Sequence, residues 1–244
     1  MNRILRKLPV EALVIATVGL SAFAIAASWT GSHEHRMWLW CAACIVGEML
    51  WLRLPLDRAT LSMAASFNFA ALLLLSRGEA MVAIALSILV AELWIVRKPP
   101  IRACFNAAQT SLAAGAASWA FALLSGRNPG APAPMVSPDA LALFAAAATY
   151  YFVNRAAVSL VIGLHQQTSP LAAWRANFGS RHELLASVVL FALGVLVAAG
   201  YQRLGMLGVA LAVIPMRIAF DAYRRHLESD INMADPGTRA GAPA

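Results

Sequence analysis

The chain has 244 residues, of which 60% are hydrophobic and 13% charged, and its mean hydropathy is +0.67. Soluble domains carry about 25% charged residues, so this composition excludes a soluble enzyme, a secreted disulfide scaffold and a disordered chain. The net charge of +7 comes without a basic tract interleaved with aromatics, so it reads as loops flanking membrane spans and not as a nucleic-acid interface.

A membrane crossing needs about 20 apolar residues, which leaves room for about eight helices and for no separate water-soluble catalytic domain. The long unalternating runs exclude a barrel. The expected fold is an all-α polytopic transmembrane bundle of six to eight spans, residues 1–228, followed by a short tail at 229–244.

The first predicted span is Leu8–Trp29. It follows Arg3, Arg6 and Lys7 like a signal peptide, but it is too long for a typical h-region and reads as a retained span. The outer loop after it carries His33-Glu34-His35, a weak metal pattern; no metal or other cofactor is expected. Met37–Leu52 forms the second span and contains Cys41 and Cys44. Their spacing is that of a redox motif, but with Cys104 they lie in apolar stretches and read as small packing residues.

A short pair follows, Ser62–Ser76 and Ala80–Val96, broken by Arg77-Gly78-Glu79; it either crosses twice or forms a re-entrant hairpin. Pro99-Pro100 suit the first turn of the fifth span, Ile101–Leu124. The segment Ser125–Ser137, with Gly130, Pro132 and Pro134, is an outer loop before the sixth span, Ala140–Leu164. Residues 165–182 carry Leu171, Trp174 and Phe178 beside Arg175 and Arg181, the pattern of an amphipathic inner helix. Leu184–Tyr201 and Met206–Phe220 complete the spans, and the composition of Pro236–Ala244 predicts disorder when free.

This layout places fourteen basic residues on the N-terminal side of the membrane and only Arg36, Arg77, Arg127 and Arg203 on the other. Cytoplasmic loops accumulate Lys and Arg, so both termini are expected in the cytoplasm.

Ionisable and polar side chains inside a membrane are costly and are functional candidates by default. Here they are Glu48, Asn68, Glu92, Asn106, Gln109, Asn154 and Arg155. Arg155 needs an anionic or carbonyl partner away from lipid, and Glu48 and Glu92 are the carboxylates expected at its depth. Asn106 and Gln109 share one helix face. A structural polar cluster, a ligand or proton site, and a subunit contact all remain open for these groups. No catalytic constellation is present.

The run Ser66-Phe67-Asn68-Phe69-Ala70-Ala71, then Phe105-Asn106-Ala107-Ala108-Gln109, Tyr151-Phe152-Val153-Asn154, Trp174-Arg175-Ala176-Asn177-Phe178 and Asp221-Ala222-Tyr223-Arg224-Arg225 form an ordered series. It resembles the N-terminal multi-pass membrane domain of bacterial HD-domain and GGDEF-type signalling proteins, a module described as a membrane-associated sensor. The resemblance spans about Ser62 to Glu228 and implies a helical domain in a bacterial inner membrane. It departs after Leu227-Glu228, where no HD pair and no GG-acidic motif follows, so no output enzyme is carried over. The expectation is a non-catalytic membrane subunit acting through contacts with other membrane proteins, in an assembly such as a respiratory or photosynthetic one. The alternatives are a stand-alone sensor with a separate cytoplasmic partner and a small-molecule-binding membrane component.

Overall fold

A computed structural model describes residues 3–29, 34–53, 60–127, 140–215 and 218. Among these the chain is helical: α1 (Arg3–Ser28), α2 (Glu34–Met49), α3 (Ala64–Leu74), α4 (Arg77–Val90) continued by a π-helical turn (Ala91–Ile95), α5 (Pro100–Ser125), α6 (Ala140–Gln166), α7 (Pro170–Phe178), α8 (Arg181–Leu204) and α9 (Met206–Pro215). Among the described residues, four stretches are long and apolar enough to cross a membrane: Pro9–Ser28, Arg77–Ile95, Ala140–Gln166 and Glu183–Leu204. Large apolar side chains such as Ile15, Phe23, Phe144, Phe152 and Val189 point outward, a surface suited to hydrocarbon and costly in water.

Two sequence expectations change around residue 50. The second span does not run to Leu52: α2 stops at Met49, and Trp51–Arg53 pairs antiparallel with Thr60–Ser62 as strands β1 and β2, with Leu52 opposite Leu61. An apolar run of this length is ambiguous between strand and helix end. The third span is too short. With 11 residues, α3 rises about 16 Å, half a hydrocarbon core, and every residue of it except Ala65 is buried. It packs chiefly on α8 and α2, so it is an interior helix with no lipid face.

A helix end inside a membrane must have its backbone groups satisfied by protein. The Arg36 guanidinium donates to the Leu74 carbonyl at 3.1 Å, and Leu75 N–H donates to Ala71. A cation at a helix C-terminus also offsets the helix dipole. On the next helix, Arg77-Gly78-Glu79 is a capped start: the Glu79 carboxylate accepts from Ser76 N–H at 3.0 Å and from its hydroxyl at 2.8 Å, a capping-box arrangement.

The core draws on α2, α3, α4, α5, α6 and α8. Ala113, Ala114 and Ala117 of α5 are fully enclosed against α4, as small-residue interfaces allow in lipid. Phe69, Phe191 and Tyr150 stack in series across α3, α8 and α6, with ring centroids 5.0 and 5.6 Å apart. Cys41 and Cys44 are buried as expected, whereas Cys104 is exposed on α5 and is not a packing residue. Gly200 and Gly208 bring α8 and α9 into backbone contact after the turn at Gly205, whose φ is +59°. His33, the loop at 128–139 and the tail at 229–244 lie outside the described residues.

Helix α7 is the predicted short helix, but it folds back along α6. Pro170 meets Gly163, and Tyr151 Oη donates to the Phe178 carbonyl at 3.5 Å. Its path brings α8 to start beside the middle of α6. The turn between α4 and α5, with Arg97, Lys98 and, in the first turn of α5, Arg102, marks one basic end of the bundle.

Candidate functional site

The polar residues singled out from the sequence separate into groups. The first is built by the π-helical turn. Such turns add a residue to the helical ladder and recur at functional sites; here Glu92 lies within it, 7% exposed. Asn106 Nδ2 on α5 donates to both carboxylate oxygens, at 2.8 and 2.9 Å, and Lys98 Nζ donates at 2.5 Å. The Glu92 carbonyl accepts the Lys98 N–H at 2.8 Å, so one residue holds Lys98 by both its backbone and its side chain. The chain reverses at Arg97, whose φ is +59°, a left-handed conformation that costs a non-glycine residue about 1–2 kcal/mol. Lys98 precedes Pro99 and is kept out of the helical region, and Pro100 opens α5. Glu92 therefore pins the whole connection between α4 and α5.

The second group lies on α5 and α6. Gln109 Nε2 donates to Thr110 Oγ1 at 2.8 Å, and Asn154 Nδ2 donates to the same oxygen at 3.4 Å. Asn68 stands apart on α3, where its amide donates to Tyr150 Oη at 3.4 Å. Glu48 is half-buried on α2. Interhelical amide bonds of this kind contribute about 0.6–2 kcal/mol each in a membrane.

Arg155 corrects the sequence reading. Its partner is neither Glu48 nor Glu92 but Glu183, in the first turn of α8. Its guanidinium lies 4.5 Å from the Phe178 ring centroid and 5.7 Å from that of Tyr151, an ion pair reinforced by cation–π contacts. Because α7 folds back, the middle of α6 is the level at which α8 begins, so Arg155 sits at a three-helix junction and not opposite a second mid-membrane carboxylate. Glu183 escaped attention because Ser180-Arg181-His182-Glu183 reads as a capped helix start, which it also is: Ser180 Oγ accepts the Glu183 N–H at 3.1 Å.

The ion pair makes a testable prediction. Arg155→Gln and Glu183→Gln should each destabilise the detergent-solubilised protein by about 1–3 kcal/mol, below the 3–5 kcal/mol of a fully buried pair because the Arg155 side chain is 28% exposed. The double variant should cost clearly less than the sum of the two. Full additivity in thermal melts would dismiss the coupling.

Among the described residues no group of three or more His, Cys, Asp or Glu side chains is placed to hold a metal ion. What the arrangement offers is a chain of interhelical locks: Glu92–Asn106 joins α4 to α5, Thr110–Asn154 joins α5 to α6, and Arg155–Glu183 joins α6 to α8. A family model for MASE9, a membrane-associated sensor-type family, matches residues 64–225. The chain belongs to the MASE9 family. The MASE9 segment starts at α3 and contains all three locks, whereas α1, α2 and the β1–β2 ribbon precede it. No curated protein and no solved structure shows significant similarity to the chain.

Proposed function

We propose that this MASE9 protein is a non-catalytic sensor module of a bacterial inner membrane that acts through contacts with a protein partner at its basic, cytoplasmic end. The observation that carries the reading is the engagement of the charged membrane residues Glu92, Arg155 and Glu183 in locks between neighbouring helices. Hydrogen-bonded ion pairs have discrete made and broken arrangements, the kind of element whose equilibrium a distant event can bias. The family membership supports a sensory role. Positive-inside asymmetry supports the orientation.

The test is gentle solubilisation of native membranes carrying a C-terminally tagged chain, followed by identification of what co-purifies. The sensor reading expects a monodisperse membrane protein with a soluble signalling partner whose yield changes when Arg155 or Glu183 is neutralised. Recovery of a fixed, stoichiometric set of membrane subunits, unaffected by those substitutions, would make the chain an accessory component of an inner-membrane assembly and overturn the sensor reading.

A further inference from the structure

The outer helix α1 packs on α5, α4 and α6, but most of its apolar span remains outside the protein core. Between α1, α5 and α6 lies a cavity of about 230 Å³, walled by residues including Leu13, Thr17, Phe105, Gln109, Ala157 and Leu160. An apolar cavity of about 150 Å³ holds benzene and stays dry, so this one accommodates a molecule about half as large again.

Its polar chemistry is one-sided. Gln109 is 5% exposed, its Nε2 is engaged by Thr110, and its Oε1 has no hydrogen-bond partner. No other residue lining the cavity has a buried side-chain polar atom without a partner. The Thr17 hydroxyl donates to the Leu13 carbonyl at 2.7 Å, which uses its proton and leaves its oxygen able to accept. The wall thus presents two oxygen acceptors, Gln109 Oε1 and Thr17 Oγ1, with the Thr17 proton and one Gln109 N–H already committed. A buried acceptor left unpaired costs about 1–3 kcal/mol, and a ligand that brings a proton removes that cost. The lack of any nearby charged wall residue excludes an ion, whose burial there would be far more expensive.

We propose that this cleft is the ligand site of the sensor: it takes a small, uncharged, mainly apolar molecule bearing one hydroxyl or N–H donor, entering from the lipid and donating to Gln109 Oε1. The assignment rests on the sensor reading for its consequence but on the cavity for its chemistry. Four of the ten wall residues belong to α1, which precedes the matched segment at residue 64, so ligand choice is set partly by a helix outside the family core. Occupancy wedges between α1 and the two helices joined by the Thr110–Asn154 bond, whose Thr110 follows Gln109 directly in the chain.

The probes are 4-ethylphenol, its methyl ether and ethylbenzene, with the full chain in lipid nanodiscs and binding read by calorimetry and thermal melting. The phenol should bind about tenfold more tightly than either comparator, the worth of one hydrogen bond. Gln109→Leu should retain or raise the ligand-free melting temperature, because it removes an unpaired amide oxygen, and should erase the phenol's advantage. Ala157→Phe should fill the cleft and abolish binding of all three. Equal binding of phenol and ether to the unaltered chain would overturn the donor assignment and leave a groove for lipid acyl chains. Phenol binding undiminished by both substitutions would overturn the site. Phenol binding as expected without any change in partner recovery would instead refute the sensor reading and leave the site standing.

Discussion

Alanine at Gly194 should lower the melting temperature of the solubilised bundle, whereas alanine at Gly115 should leave it unchanged or raise it. Both glycines lie inside long helices, where replacing Gly by Ala gains about 1 kcal/mol of helix propensity, and at both a new Cβ meets a close neighbour. At Gly115 that neighbour is Met81 Sδ at 2.6 Å, the end of a flexible side chain that can change rotamer. At Gly194 it is the Ser66 backbone carbonyl oxygen at 2.7 Å, with Phe69 Cβ at 3.0 Å. Relieving that contact means moving α3 away from α8 and disturbing the Phe69–Phe191–Tyr150 series. Overpacking of this kind costs about 1–3 kcal/mol and more when backbone must shift. Equal melting temperatures for the two variants would mean that α3 and α8 are not in backbone contact.

The second large effect is expected at the α4–α5 connection. Asn106→Leu removes the donor that serves both oxygens of the Glu92 carboxylate, leaving only Lys98. Stripping a partner from a buried charge costs about 3–5 kcal/mol; with Lys98 retained, about 2–3 kcal/mol is expected from the same principle. Lys98→Gln should cost less, since its side chain is 39% exposed and is solvated in part already. Glu92→Leu combined with Asn106→Leu should recover much of the loss, because an apolar pair leaves nothing unsatisfied and Lys98 can extend to the interface. Melting temperatures of the two single variants and the double variant decide the matter. A double variant no more stable than Asn106→Leu alone would show that Glu92 holds the connection chiefly through its backbone carbonyl.

Much of the fold was legible because long helices announce themselves. Pro99-Pro100 mark the start of α5, and the long apolar run read as the sixth span is helical as α6. The errors have physical causes. Trp51 and Leu52 are as apolar as the helix before them, so hydropathy extended α2 through a strand. Apart from Ser66 and Asn68, every position of α3 is apolar because the helix is enclosed by protein, and composition does not distinguish enclosure by protein from enclosure by lipid. Within the candidate site, the pairing of the polar residues was not readable, and Glu183 drew no notice beside them. Arg155 finds Glu183 only because α7 folds back along α6, a tertiary event with no local signature. Gln109 and Asn106 were read as one face, yet they serve different partners: Asn106 bonds a carboxylate, while Gln109 keeps an oxygen free toward a cavity wall that includes the distant Thr17.

The interior position of α3 has a bearing on biogenesis. A segment of 11 residues does not partition stably into a bilayer as an independent crossing, and α8, against which α3 packs most extensively, is synthesised more than a hundred residues later. While the ribosome is still translating, the polar ends of α3 and its Asn68 side chain must wait at the insertion machinery or beneath α2 and α4. The last helices therefore act as a completion check on the first: a nascent chain that stalls before α8 holds an unsheltered half-helix, a form that membrane quality-control proteases can distinguish from the finished bundle.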